Sequence, residues 1–288
     1  MDLAIQLEQG MSSRVQTVDQ FVEKYLSEIN LPSGAAILEL RKSMMYSATN
    51  GGKRFRPVLA LLVAELFGCE KEKVLPFAAA VEFVHTYSLI HDDLPCMDND
   101  DVRRGKPTNH KVFGEDFALL AGDALLTEAF QLLANFYNEN GFLLGRLIQL
   151  LAEAAGLRGM VGGQALDLRA TQELTIHELA HLHRLKTGAL IRVSVEGAAL
   201  IAGAKPSDLE SLKKFGEGLG LAFQVADDIL DHGEKDQSQR SFTGILGLEE
   251  TKKYLRTISN ETLAELHKVS AEAPMLEYLI AFNQNRQL

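Results

Sequence analysis

The chain has 288 residues, 46% hydrophobic and 24% charged, with a formal net charge of −10 and two cysteines. This is globular composition. No run of about 18 apolar residues without charge predicts a membrane span, and the acidic balance argues against nucleic acid as the main partner. The first ten residues carry Asp2 and Glu8 and no basic segment, so no signal peptide is expected. Cys69 and Cys96 are too few for a disulfide framework, which makes a reduced, cytoplasmic protein the expectation. No Pro/Gly/Ser-rich linker breaks the chain, so one domain over residues 1–288 is expected.

Strand signals are nearly missing, and apolar residues recur at spacings of three and four. The spacing predicts an all-α bundle of about ten or more helices with short connections. A first helix is expected over residues 55–67, with Pro57 near its start and Gly68 at its end. Further helices are expected over 73–92 and 116–136. Asn140-Gly141 marks a break, and 142–168 reads as one continuous helix. Thr175 and Glu178 form a capping-box pattern at the start of a helix over 176–202. Gly203 marks its end, and Ser207 reads as a start for a helix over 207–231.

Two aspartate runs close apolar helices: Asp92-Asp93-Leu94-Pro95-Cys96-Met97-Asp98 and Asp227-Asp228-Ile229-Leu230-Asp231. Asp is a poor interior helix former, and adjacent carboxylates repel, so such runs suggest a bound hard cation. Asp227 and Asp231 are i and i+4 and share a face, whereas Asp228 points about 100° away. A solvated acidic helix end is the simpler alternative. Asp92 and Asp98 lie about 240° apart on an ideal helix. Pro95 cannot continue a helix normally, and we infer that Pro95-Cys96 forms a bulge returning Asp98 to the side of Asp92.

Basic residues accompany the carboxylates. Arg103 and Arg104 follow the first run, and guanidinium forks match phosphate oxygens. Charge compensation by Asp100 or Asp101 is expected for at least one of them. Gly51-Gly52-Lys53-Arg54-Phe55-Arg56-Pro57 places three basic residues at a helix start, a composition suited to anions. It is not the GxxxxGK[ST] phosphate loop. Lys186 alone reads as a surface lysine. His177 and His181 lie i, i+4 beside His183, but no HExxH context surrounds them, so a polar helix face is preferred to a metal site.

In this order, the 51–57 segment, His85 through Gly105, Gly162-Gly163-Gln164-Ala165-Leu166-Asp167, Lys186-Thr187-Gly188 and Phe223 through Asp231 resemble the motif set of trans-isoprenyl diphosphate synthases. Among these the chain is most similar to bacterial farnesyl diphosphate synthases, with plant and cyanobacterial geranylgeranyl diphosphate synthases as near neighbours. The resemblance spans about residues 35–255. It implies an isoprenoid-synthase bundle around a deep central cavity, a homodimer, and three Mg²⁺ ions per active site.

By that resemblance Asp92 and Asp98, with Asp93 supporting, hold two of the ions. Asp227 holds the third, with Asp228 and Asp231 behind it. Arg103, Lys186 and Gln224 contact the allylic diphosphate, dimethylallyl or geranyl. Gly52, Lys53, Arg56, His85 and Arg104 belong to the isopentenyl diphosphate site. Thr187, Gln164 and Asp167 line the reacting centre. Tyr87 and Ser88 stand where the family closes the tunnel floor, and the large Tyr87 favours a fifteen-carbon product.

The stretch after Asp231 departs from the family, lacking its Gly-Lys-Ser/Thr-Thr-Tyr-Pro-like segment. Lys235 or Arg240 is the candidate substitute for the missing lysine. That departure keeps a catalytically weak diphosphate-binding paralogue as an alternative, beside a geranylgeranyl diphosphate synthase. A terpene cyclase would not need Lys53 and Arg56. A di-iron bundle would need Glu-x-x-His pairs that the apolar helices lack.

Overall fold

Helices make up nearly every element of the computed structural model, which describes residues 3–170, 174–232 and 240–285. The expected all-α class is what the structure shows. Internal contacts divide the chain into two units, one of Met1–Leu61 with Lys71–Ile148, the other of Leu62–Glu70 with Gln149–Leu288.

The first unit contains α1 (Leu3–Glu28), α2 (Ala35–Ala48), most of α3 (Phe55–Glu65) and α4 (Lys71–Asp92). A two-stranded hairpin follows, β1 (Val102–Arg103) antiparallel to β2 (Lys106–Pro107), then α5 (Asn109–Phe113), α6 (Glu115–Tyr137) and the first half of α7 (Gly141–Ala155). The centre of this unit is α4 against α6, with Phe77, Phe83, Leu125, Leu132 and Leu133 fully buried. Pro76 lies inside α4 and removes one backbone donor. The Tyr137 hydroxyl repairs the adjacent turn: it donates to the Lys73 carbonyl at 2.7 Å and accepts from the Phe77 N–H at 3.3 Å. α6 has the length and hydropathy of a membrane-crossing helix. It nevertheless carries Asp123 and Glu128, and Glu128 accepts a hydrogen bond from the Tyr25 hydroxyl.

The second unit contains α8 (Met160–Arg169), α9 (Ile176–His183), a π-helical turn (Arg184–Gly188) and α10 (Ala189–Ile201). It continues through α11 (Pro206–Leu230), α12 (Phe242–Leu246), α13 (Leu248–His267) and α14 (Pro274–Asn285). Its core joins Leu179 and Ala180 to Leu221, Val225, Phe242 and Leu255.

Three sequence expectations are corrected. The helix expected over 142–168 is two helices: the pattern runs through Leu157, but Leu157 is 84% exposed and the chain turns between Ala155 and Met160. The segment over 176–202 is interrupted by the π turn, which the apolar spacing does not reveal. Ser207 is not the cap of α11. Lys205 holds that position, with Pro206 at the first turn, whose missing N–H costs nothing there. The Thr175 capping box is present as expected, with both the Thr175 side chain and Glu178 making their reciprocal bonds.

Candidate functional site

In the first unit, α4 stops at Asp92 and the chain folds back. The Asp98 N–H donates to the Asp92 carbonyl at 2.8 Å, and the Met97 and Asn99 N–H groups both reach the Leu94 carbonyl. Asn99 takes a φ of 54°, which the turn requires. The Pro95-Cys96 insertion therefore acts by ending the helix rather than bulging a continuous one, and it brings Asp98 back beside Asp92. Asp98 is exposed and Asp92 half-buried, while Asp93 turns inward and is buried. Both Nε and Nη2 of Arg103 lie 2.6 Å from Asp93 Oδ1, and Nη2 lies 3.4 Å from Asp100. Burial pushes the Asp93 carboxyl up, and Arg103 draws it part of the way back.

The hairpin sets the next residue. Arg104 and Gly105 form a two-residue turn with φ of 53° and 74°, the left-handed pair that a tight hairpin demands. Arg104 is an uncommon residue there. Its Nη1 donates to the Gly51 carbonyl at 2.6 Å, which anchors it. Gly52, at φ 111°, leaves room for it, since a Cβ there would fall 2.5 Å from the guanidinium carbon.

Of the three basic residues in the 51–57 segment, Lys53 is exposed, Arg54 is buried and Arg56 is half-buried. Burial pushes the Arg56 guanidinium down to about 10, Arg104 adds repulsion, and Glu82 opposes both. Its Nε is buried and has no partner among the described residues. Burial, then Arg56, Arg104, Arg103 and Arg54, hold the His85 imidazole well below its ordinary value, so it is neutral. A neutral imidazole among guanidiniums with an unmatched N–H is a site short of an anion.

Tyr87 is buried, its ring edge-on to His91 at 5.7 Å. Burial and then Asp92 push its hydroxyl up to about 12. The neighbouring Ser88 hydroxyl donates to the His85 carbonyl at 2.9 Å, within its own helix.

In the second unit the candidate residues gather around the π turn. Lys186, read from sequence alone as a surface lysine, is half-buried, with its Nζ 2.5 Å from Asp167 Oδ2. Gly163 makes this closeness possible: a Cβ there would meet the Lys186 backbone nitrogen at 2.3 Å. Gly220 likewise admits Gly188, at 2.8 Å from a Cβ. Thr187 and Gln164 are half-buried on the same two segments.

α11 carries the second carboxylate run. Gln224 Nε2 lies 3.4 Å from Asp227 Oδ2. Asp231 caps the helix, its N–H donating to the Asp227 carbonyl at 2.9 Å. Asp228 turns away and accepts the Phe242 N–H at 2.6 Å. Burial, only partly offset by that bond, pushes Asp228 up to about 6. The buried Phe242 ring stacks on His183 at 5.6 Å and leans on Tyr254 at 5.7 Å. Burial pushes His183 down to about 4. Arg240 is bonded to the Ala170 carbonyl at the end of α8, and Lys235 lies outside the described residues.

Sequence reasoning missed Glu82, did not separate Arg54 from its basic neighbours, and gave His183 no role of its own. Glu82 had a signal: it is the one charged residue in the buried stretch from Val74 to Val84. His177 and His181 are exposed on α9, as a polar face requires. A cavity of about 870 Å³ in the second unit is lined by Arg184, Arg192, Lys214, Glu217 and Glu261 among others, and by none of the candidate site residues. Arg192 and Lys214 already have carboxylate partners, Glu196 and Glu210, so it is not read as the reaction site.

Among the described residues, no three His, Cys, Asp or Glu side chains converge on one metal position. The donor set nevertheless fits Mg²⁺, which takes one or two carboxylates and fills its octahedron with substrate phosphates and water.

The family model described as polyprenyl synthetase matches residues 38–243. A farnesyl diphosphate synthase from Geobacillus stearothermophilus is 48% identical over 230 residues, covering 79% of this chain and 76% of its own. The large subunit 1 of a heterodimeric geranylgeranyl pyrophosphate synthase from Arabidopsis thaliana is 41% identical over 271 residues, covering 86% of this chain and 73% of its own. The solved structure of an FPP/GFPP synthase from Zymomonas mobilis superposes with a TM-score of 0.88 at 37% identity, covering 97% of this chain and 99% of that one.

Proposed function

The chain belongs to the polyprenyl synthetase family, and we propose that it is a Mg²⁺-dependent trans-prenyltransferase. It condenses isopentenyl diphosphate with dimethylallyl and then geranyl diphosphate to give farnesyl diphosphate. The observation that carries this reading is the cluster of Arg56, His85 and Arg104. It offers a diphosphate a seat made of cations and a neutral imidazole, with no metal needed. A cyclase, which uses one diphosphate, has no use for it.

Asp92, Asp98 and Asp227 would hold the ions, three in all, with Asp93, Asp228 and Asp231 supporting them. Bound Mg²⁺ supplies charge neutralisation to the departing diphosphate. The other roles fall to side chains of this chain. Arg103, Lys186 and Gln224 bind the allylic diphosphate and stabilise charge as it develops. Lys53, Arg56, His85, Arg104 and the opened backbone at Gly52 orient isopentenyl diphosphate so that its double bond attacks the allylic carbon. Asp167 holds Lys186 in place, and Thr187 and Gln164 flank the reacting carbons. The attack leaves a tertiary cation, and loss of a proton from the carbon beside it to the released diphosphate forms the new double bond. An apolar surround keeps water from the cation.

The buried Tyr87 ring, on α4 five residues before Asp92, supports a fifteen-carbon product on the reading that this helix face bounds the growing chain. Ser88 spends its hydroxyl inside the helix and adds little bulk. Leu119, Leu120 and Phe136 on α6 and Phe142 on α7 are exposed, which supports a homodimer covering them. Two free cysteines fit a reducing, cytoplasmic setting.

The test is a product assay with Mg²⁺, dimethylallyl diphosphate and isopentenyl diphosphate. Farnesyl diphosphate is expected, with longer products from Tyr87→Ala. A twenty-carbon product from the unaltered chain would make it a geranylgeranyl diphosphate synthase. Absence of any product would favour a diphosphate-binding paralogue.

A further inference from the structure

α4 is buried and apolar around one anomaly. Glu82 is 1% exposed, in a stretch otherwise built from Ala, Val, Leu, Phe and Pro76. A buried carboxylate persists only when it is matched. Its Oε1 accepts Nη1 of Arg54 at 2.7 Å. Arg54 also donates from Nε to Asp19 at 2.6 Å and from Nη2 to the Ala48 carbonyl at 2.6 Å. These three anchors hold Arg54 at a φ of 45°, where a non-glycine residue needs support. Arg54 stands between Lys53 and Arg56, so the anchors also fix the backbone that carries both.

Asp19 keeps 38% of its side chain in water, so its charge is partly screened. Glu82 is the desolvated anion of the group. Its field reaches past its bonded partner: it raises Arg56 and Arg104, which partial desolvation and neighbouring guanidiniums lower. His85 stands three residues further along the same helix, near one turn away.

We propose that Glu82 is a positioning residue for isopentenyl diphosphate. It pins Arg54, and through it the 51–57 segment, and its charge sets how strongly Arg56 and Arg104 grip the incoming diphosphate. This rests on reading the Arg56–His85–Arg104 cluster as that site. Glu82 keeps the cluster foldable without substrate and holds its anion affinity below the maximum, so the diphosphate can leave.

Two variants separate the two parts. Glu82→Gln keeps the shape and an acceptor for Arg54 but removes the charge. It should lower the KM for isopentenyl diphosphate by about threefold to tenfold, the scale of one partly screened unit charge. Glu82→Ala removes anchor and charge together and should raise the same KM. A merely structural glutamate would lower the thermal midpoint in both variants and move KM in neither or in the same direction.

The companion measurement is the rise in thermal midpoint on adding inorganic diphosphate with EDTA present, so that the metal-dependent carboxylates are silent. No rise in the unaltered protein would remove the anion site itself. A rise that is no larger in Glu82→Gln would overturn the role of Glu82 and leave the site standing. Should Glu82→Gln not fold, Asp19→Asn takes its place, with a smaller increase in the same direction expected and none contradicting the proposal.

Discussion

In the first carboxylate run the helix stops at Asp92 and a turn carries Asp98 back to it, while in the second the helix continues through Asp227 and Asp228 to a cap at Asp231. The inward member of each adjacent pair has a different partner. Asp93 is held by the Arg103 guanidinium, whereas Asp228 is held by the Phe242 backbone N–H. Adjacent aspartates thus divide their labour. Asp93 and Asp228 tie down the next segment of the chain, and Asp92, Asp98 and Asp227 are the ones proposed to hold ions. The two ties also differ in kind, since one is a charge pair and the other a neutral donor to a carboxyl pushed up to about 6.

Substitutions can test that division at different strengths. The largest effect is expected from Asp92→Ala or Asp227→Ala, which should lower kcat by about 10²–10³-fold, the scale of one lost electrostatic stabiliser. Their thermal midpoints should stay close to the parent's. Asp93→Ala should instead leave Arg103 with only the 3.4 Å contact to Asp100 and cost about 2 kcal/mol, seen as a lower midpoint in a thermal melt. If Asp93→Ala melts like the parent, the division is wrong for the first run.

Next in size is a pH effect. His183 is pushed down to about 4 by burial, from 6.5 when unfolded. The unfolded chain therefore binds the extra proton first, and stability is lost as pH falls from about 6.5 to 4, by up to about 3 kcal/mol. His85 acts in the same direction, and Asp228, pushed up, acts in the opposite one. The difference between the parent and His183→Gln is thus the quantity to read, by chemical denaturation at pH 7 and pH 5 without metal. The variant should lose less stability on acidification, and an equal loss would rule out His183 as a contributor.

Smaller effects come from the glycines. Gly163→Ala forces a Cβ to 2.3 Å from the Lys186 nitrogen, so α8 must move off the π turn. A cost of about 2 kcal/mol is expected, with kcat falling alongside because Lys186 moves. Gly68→Ala meets nothing within 4 Å but stands at φ +65°, and should cost only about 1 kcal/mol with activity unchanged. Equal activities in the two variants would disconnect the π turn from the chemistry.

The long helices were legible in the sequence because α4, α6 and α11 repeat apolar residues at helical spacing and end at clear signals. The Asp92–Asp98 geometry was legible in its outcome, through Pro95, although the means is a helix end. The hidden features have a common cause. The π turn at Arg184–Gly188 preserves the apolar pattern on both sides, so periodicity passes over it. Lys186 looked like a surface residue because only tertiary contact with Gly163 and Asp167 makes it otherwise. Arg54 looked equivalent to Lys53 and Arg56. Its inward path is set by Glu82 and Asp19, which lie on other helices.

The most direct test counts ions. Mg²⁺ is titrated calorimetrically into the protein holding an unreactive allylic thiodiphosphate. Three ions per chain are expected, falling to two in Asp227→Ala and staying at three in Glu82→Gln. An unchanged count in Asp227→Ala, or Mg²⁺ binding indifferent to the allylic ligand, would contradict the assignment of the two aspartate runs to one metal-assisted reaction.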